Sequence, residues 1–199
     1  MPTGATPPPH LYFDRHFGLQ AAKILPGGCH VSSGDTIIST VLGSCVAACI
    51  RDRRSGIGGM NHFMLPEGGG EDAVTGSARY GVHAMELLLN DLARSGAARS
   101  HLEAKVFGGG AVVASMTTSD VGQRNAAFVR QFLKMEGIPV VAEDLEGIYP
   151  RKVYFFPRSG KVLVRHLREK HNDTVAIRER EYRQQLQVAP VSGDIELFA

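Results

Sequence analysis

Residues 39 to 62 set one cysteine, Cys45, within reach of His62 along the chain, with the hydroxyl side chains of Ser39 and Thr40 just upstream. "TVLGSCVAACIRD", residues 40 to 52, sets Cys45 directly behind Gly43 and Ser44, between two apolar runs, and "GGMNHFMLP" supplies His62, 17 residues further on. A thiol with an imidazole in reach can attack an acyl centre, because the imidazole takes the proton and the thiolate is the nucleophile. The plainer reading is that a cysteine in an apolar strand is a small buried hydrophobe. Gly43-Ser44 favours the first reading for Cys45. The glycine breaks the apolar run and lets the backbone approach a ligand, and the N–H groups of Ser44 and Cys45 at such a turn can face a developing oxyanion. Cys49, in "AACIRD", has no such break and reads as core. Upstream, "IISTVLGSC" offers Ser39 and Thr40, which a strand sends to opposite faces, so only one of them can approach His62.

These residues need elements to hold them. Apolar and β-branched content predicts strands near 22–25, 36–41, 45–51 and 57–64. The last two flank "RDRRSG" and pair as a hairpin, which brings positions 45 and 62 to the end away from the turn. "PEGGGEDAVTGS" follows His62 as a Gly-rich loop. The spacing of Val82, Met85, Leu89 and Leu92 predicts a helix over 77–94, stopped by Gly96. "LEAKVF" is a strand ending in Gly108, Gly109 and Gly110. That run is neither a P-loop nor a dinucleotide fingerprint and reads as close backbone packing or a turn. A second helix fits 122–136, and "IPVVAED", "RKVYFFP" and "KVLVRHL" read as strands, the last two joined through "RSG". Strands outnumber helices without strict alternation, which predicts a layered α+β domain. Residues 1–19 read as a largely disordered tail, 20–168 as the folded domain and 169–199 as a C-terminal extension.

Composition narrows the classes. The chain has 199 residues, which suits one domain, and 43% hydrophobic content, enough for a real core. It has no Trp and 7% aromatic residues, which argues against a stacking surface for nucleic acid. Three cysteines, Cys29, Cys45 and Cys49, do not make a disulfide framework. "MPTGATPPPH" lacks the pattern of a signal peptide, and no apolar run approaches the ~20 residues of a membrane span. A reducing cytoplasm is expected. Cys45 and Cys49 on one strand would lie about 13 Å apart, too far for a disulfide, and their spacing gives a zinc site little support. Residues 151–183 carry ten Lys/Arg against four acids. That excess is either a solvated face or a surface for an acidic partner.

"TVLGSCVAACIRD" followed by "GIGGMNHFMLP" resembles the signature of the CheD family, the chemoreceptor glutamine deamidases of bacterial chemotaxis. The likeness continues through "ARYGVHAMELLLNDL", "LEAKVFGGG", "VGQRNAAFVRQFL", "GIPVVAEDLEG" and "GKVLVRHL", over roughly residues 20 to 168. The resemblance implies a cysteine nucleophile at Cys45, a histidine base at His62 and a third, hydroxyl-bearing member. That member is commonly threonine in the family and falls by spacing on Ser39, with Thr40 as the alternative. Ser39 is favoured because it lies an even number of residues before Cys45.

The resemblance also implies an α/β/β/α sandwich of mixed sheets with helices outside, akin to the cytotoxic necrotizing factor deamidases. It implies conversion of receptor glutamines to glutamate through a thioester, with glutamyl methyl ester hydrolysis in some relatives and no metal or cofactor. The expected partners are the cytoplasmic helical bundle of a chemoreceptor and, in some bacteria, a CheC-type phosphatase. An adaptor that acts only by binding is the alternative. Lys161, Arg165 and Arg168 are the basic residues expected to hold an acidic receptor helix.

Overall fold

The computed structural model describes residues 7–65, 71–112, 121–168 and 173–188. Its organising strand is β5 (Val46–Asp52), which is buried on both faces. Val46, Ala48 and Ile50 enter one apolar cluster with Met85, Leu88, Val129 and Phe132. Cys45, Ala47 and Cys49 enter another with Ile38, Leu42, Val153 and Phe155. A strand between two apolar layers needs an unbroken apolar sequence rather than an alternating one, which is what "VAACI" provides.

Among the described residues two five-stranded sheets form the body. The first runs β1 (His10–Asp14), β2 (Leu19–Lys23), β4 (Ile37–Leu42), β9 (Arg151–Phe156), β10 (Lys161–His166). The second runs β3 (Cys29–Ser32), β6 (Gly58–Asn61), β5, β7 (Leu102–Gly108), β8 (Val140–Leu145). Both are mixed: β2 pairs with β4 and β7 with β8 in parallel, and the other neighbours are antiparallel. The predicted hairpins are present, β5 with β6 and β9 with β10.

The helices depart from the expected α/β/β/α order. α1 (Glu71–Arg94) packs on β3 and β6, and α2 (Val121–Met135) on β5, β7 and β8, so both lie on the second sheet. The outer face of the first sheet is closed instead by its own side chains. Phe17 sits edge-on to Tyr154 and Phe156, and the Lys152 ammonium lies 4.7 Å over the Tyr154 ring. Among the described residues, aromatic rings and an aliphatic lysine stem cover the Phe17–Tyr154 part of that face.

Three further differences concern elements the sequence pattern understated. Residues 10–14 are not part of a disordered tail, because β1 pairs with β2 along its whole length. The four-residue β3 lies in a stretch read as connection. The C-terminal extension contains helix α3 (Asp173–Val188). Of the expected loop after His62, residues 66–70 lie outside the described residues, and Glu71 onward opens α1.

The β5–β6 hairpin is tied down by the buried carboxylate of Asp52. It accepts the N–H groups of Arg54 at 2.8 Å and Ser55 at 3.2 Å within the turn, and that of Ala98 at 2.9 Å from the end of α1's connection. Burial by itself raises its pKa, but these donors outweigh burial and hold the carboxyl below the usual carboxylate range. A depressed carboxylate stabilises the fold fully above its unfolded pKa, near ~4, and loses that contribution as pH falls below it. Asp52→Ala should therefore cost about 2 kcal/mol in urea denaturation at neutral pH and flatten the acid limb of the stability–pH curve. An acid limb identical to the parent's would contradict this role.

Candidate functional site

The chain leaves the first sheet at Leu42 and enters the second at Val46, so Gly43, Ser44 and Cys45 form the crossing. Their carbonyls are all taken on one side. Gly110 N–H donates to Gly43 O at 2.8 Å, Gly109 N–H to Cys45 O at 2.8 Å, and the Asn125 amide to Ser44 O at 2.8 Å. Gly108, at φ 109°, passes so close that a Cβ there would meet the Cys45 carbonyl at 2.1 Å. The "FGGG" run thus serves close backbone packing, behind the thiol.

With the carbonyls engaged, the three N–H groups of the crossing converge on one point. The carboxylate of Glu179, from α3, occupies it. It accepts Gly43 N–H at 2.9 Å, Ser44 N–H at 3.0 Å, Cys45 N–H at 3.2 Å and the Ser44 hydroxyl at 2.7 Å. Successive N–H groups gathered in this way make a nest for an anion.

His62 reaches the same layer through the hairpin register. Val46 and Phe63 exchange both backbone hydrogen bonds at 2.9 Å, and Cys49 faces Met60 in the same register. Cys45 and His62 are therefore diagonal neighbours on one face of the second sheet, where long side chains touch. The His62 backbone is fixed by Gly27 N–H, which donates to its carbonyl at 2.7 Å, and by Gly28 O, which accepts its N–H at 2.9 Å.

The imidazole tautomer follows from Thr40. Its hydroxyl lies 2.9 Å from Ile24 O and 2.7 Å from His62 Nδ1. A carbonyl can only accept, so the one hydroxyl proton goes to Ile24 and Nδ1–H donates to Thr40 Oγ1. Nε2 then carries the lone pair, and it has no hydrogen-bond partner among the described residues. It is a bare base in a buried site.

The structure brings Thr40, not Ser39, to His62. Ser39 pairs across the ladder with Tyr154 and lies 3.3 Å from the Tyr12 hydroxyl on the outer face of the first sheet. Thr40 pairs with Val153, which faces the space between the sheets. Counting even steps from Cys45 fails because residues 43–45 are a crossing between sheets, and the alternation of one strand does not carry through it.

Burial disfavours the charged form of both Cys45 and His62. Burial, with the Glu179 carboxylate alongside, pushes the Cys45 thiol well above its ordinary value. Burial pulls His62 down to about 3. Cys49 is buried further along the strand, and its thiol is also pushed up by burial.

Lys161, Arg165 and Arg168 are exposed, as the basic surface reading requires, but they are not at this site. Lys161 and Arg165 pair with Phe156 and Lys152 and share the outer face of the first sheet, while Arg168 lies over the Tyr149 ring at 5.8 Å. Two residues at the site went unread in the sequence. Asn125, fully buried on α2, also accepts the Leu65 N–H at 2.9 Å, so it links the thiol crossing to the segment after His62. Glu179 comes from the extension. Its only signal is an acid within the stripe Val175, Glu179, Tyr182, Leu186, where helical spacing calls for apolar residues.

Residues 64–166 match the family model described as CheD chemotactic sensory transduction. The chain is 64% identical over 187 residues, 94% of its length and 93% of the relative's, to a protein of Dechloromonas aromatica (strain RCB) named probable chemoreceptor glutamine deamidase CheD 1. It is 58% identical over 192 residues, 96% of this chain and 95% of the relative, to a probable chemoreceptor glutamine deamidase CheD of Janthinobacterium sp. (strain Marseille). A Laribacter hongkongensis (strain HLHK9) protein of the same name is 50% identical over 198 residues, 98% of this chain and 96% of the relative.

The positioning role of Asn125 is testable by stability. Asn125→Leu keeps the volume but leaves the Ser44 carbonyl and the Leu65 N–H buried without partners, each worth about 1–3 kcal/mol. Urea denaturation should show a loss of about 2–5 kcal/mol. A loss below about 1 kcal/mol would mean that neither group depends on Asn125.

Proposed function

The chain belongs to the CheD family, and we propose that it deamidates glutamine side chains of chemoreceptors by cysteine chemistry. One observation carries the proposal: a histidine with its tautomer fixed by Thr40 and its Nε2 bare, on the same face as a cysteine whose own crossing forms an N–H nest. A primary amide is a poor electrophile, so it needs a strong nucleophile and a place for the oxyanion charge. A Cys45 thiol deprotonated by His62 would supply the first, and the N–H groups of residues 43–45 the second.

In the proposed sequence the Cys45 proton passes to His62 Nε2 and the sulfur attacks Cδ of the target glutamine. Charge that develops on the amide oxygen rests on the N–H groups of Gly43, Ser44 and Cys45. His62 returns the proton to the departing nitrogen, the C–N bond breaks, and ammonia leaves a γ-glutamyl thioester. Water, deprotonated by His62, attacks that thioester, which regenerates the thiol and leaves glutamate. Thr40 keeps the imidazole in the tautomer both steps use, as the third member of a triad does. The same route accepts a glutamyl methyl ester, with methanol as the leaving group.

The substrate on this reading is the cytoplasmic helical bundle of a receptor, where each conversion adds one negative charge to a coiled coil. The basic face of Lys161 and Arg165 is then a secondary contact surface, since it faces away from the thiol.

The roles separate in an ammonia-release assay with a glutamine-bearing receptor fragment. Cys45→Ala should abolish release, while Cys49→Ala keeps most of it. Thr40→Ala should lower kcat about 10- to 100-fold, the scale of losing a group that orients a base, with recovery in Thr40→Ser. Ser39→Ala should leave turnover at the parent's level and register only in the melting temperature. Activity in Cys45→Ala, or a turnover defect confined to Ser39→Ala, would overturn the assignment.

A further inference from the structure

The N–H nest behind the thiol is occupied by a side chain of the protein itself. Glu179 is nearly fully buried, at 5% exposure, although it stands on a helix whose other described side chains are half-buried or exposed. Desolvating a carboxylate is costly unless its oxygens are met by donors. Here one oxygen takes the N–H groups of Gly43 and Cys45, and the other takes the N–H and hydroxyl of Ser44. The fit extends to the backbone: a Cβ on Gly43 would stand 2.7 Å from Glu179 Oε1.

Tyr182 and Leu186, on the same stripe, pack at the edge of the core, and the Tyr182 hydroxyl meets that of Tyr80. The cleft alongside is lined by Gly27, Gly28, Asn61, His62, Tyr80 and Tyr182. An amphipathic helix that lays one face into a groove is a recurring mode of helix recognition.

We propose that α3 is an internal stand-in for a substrate helix, with the Glu179 carboxylate in the subsite that takes the target side chain's carboxamide. The proposal rests on the deamidase reading above. A glutamate carboxylate is the side chain that deamidation leaves behind, so Glu179 is seated as a product would be. The groove under α3 is then the docking track for an outside helix that presents a glutamine, and α3 must leave before that helix can enter. While it is seated, Cys45 is fully covered and the site rests with a neutral thiol and a neutral imidazole.

The test uses the full chain and three readouts. The first is labelling of Cys45 by iodoacetamide, followed by peptide mapping, in the parent and in Glu179→Ala. Losing a carboxylate held by four donors should speed labelling about tenfold or more, the scale of one charge-assisted hydrogen bond. The second is deamidation of a receptor-helix fragment, where Glu179→Ala should lower KM and keep kcat. The third is Glu179→Gln, which puts a carboxamide in the nest. Cys45 adds to its Cδ, ammonia leaves, and water cleaves the thioester, so mass spectrometry should find the introduced glutamine converted to glutamate, at a rate independent of protein concentration. Adding Cys45→Ala should leave the glutamine unconverted.

Parental labelling in a Glu179→Ala chain that still folds would overturn the proposal. So would loss of kcat in that variant, or an intact introduced glutamine in a Glu179→Gln chain that deamidates the fragment. Faster labelling with no chain acting on any receptor fragment would instead sink the deamidase reading, while α3 remained a displaceable cover.

Discussion

Where a chain steps from one sheet to another, its backbone groups lose their ladder partners and must find others. At Gly43–Cys45 that constraint is resolved unequally. The carbonyls go to Gly109, Gly110 and Asn125, and the N–H groups are left pointing together at one spot. Buried unpaired N–H groups are costly, so this spot demands an acceptor in every state of the protein. Glu179 supplies one in this structure. A substrate oxygen would supply another. On the proposed reading, reactivity and self-coverage arise from the same few backbone atoms.

The remaining groups come from both sides of the sandwich. Thr40 stands on the first sheet, while Cys45 and His62 share a face of the second. The segment between β2 and β3 joins them: Ile24 O accepts from Thr40, while Gly27 N–H and Gly28 O fix the backbone of His62. Sliding one sheet over the other would break the Thr40–His62 bond before it disturbed most of the core. The site is therefore as rigid as the packing of Ile38, Leu42, Val153 and Phe155 against Ala47, Cys49 and Met60. Such a frame suits a reaction in which the base must keep one tautomer through two steps.

The sequence revealed what short-range chemistry encodes. Gly43-Ser44 before Cys45 marked the crossing, and the turn at Asp52–Gly56 set the register that carries His62 to the thiol. The long strands and helices α1 and α2 follow from apolar runs and periodicity in the same way. The even spacing that favours Ser39 over Thr40 misleads, because it depends on alternation surviving a crossing whose geometry lies in residues 108–110 and 125. The helices' placement on one sheet was hidden as well. Phe17, Lys152 and Tyr154 close the other sheet by contacts between distant parts of the chain. Helix α3 was least legible. Its anchor is a charged residue where a stripe should be apolar, and the Cys45 N–H it accepts is 134 residues away along the chain.

On the proposed reading the nest at Gly43–Cys45 receives the side-chain carbonyl of the target glutamine. A crystal structure of the full chain with Cys45→Ala, bound to a glutamine-bearing receptor helix, tests it most directly, because the substrate stays unreacted. The amide oxygen of that glutamine is expected on the N–H groups of residues 43–45, with Glu179 displaced. A receptor helix bound elsewhere, with Glu179 still seated in the nest, would contradict it.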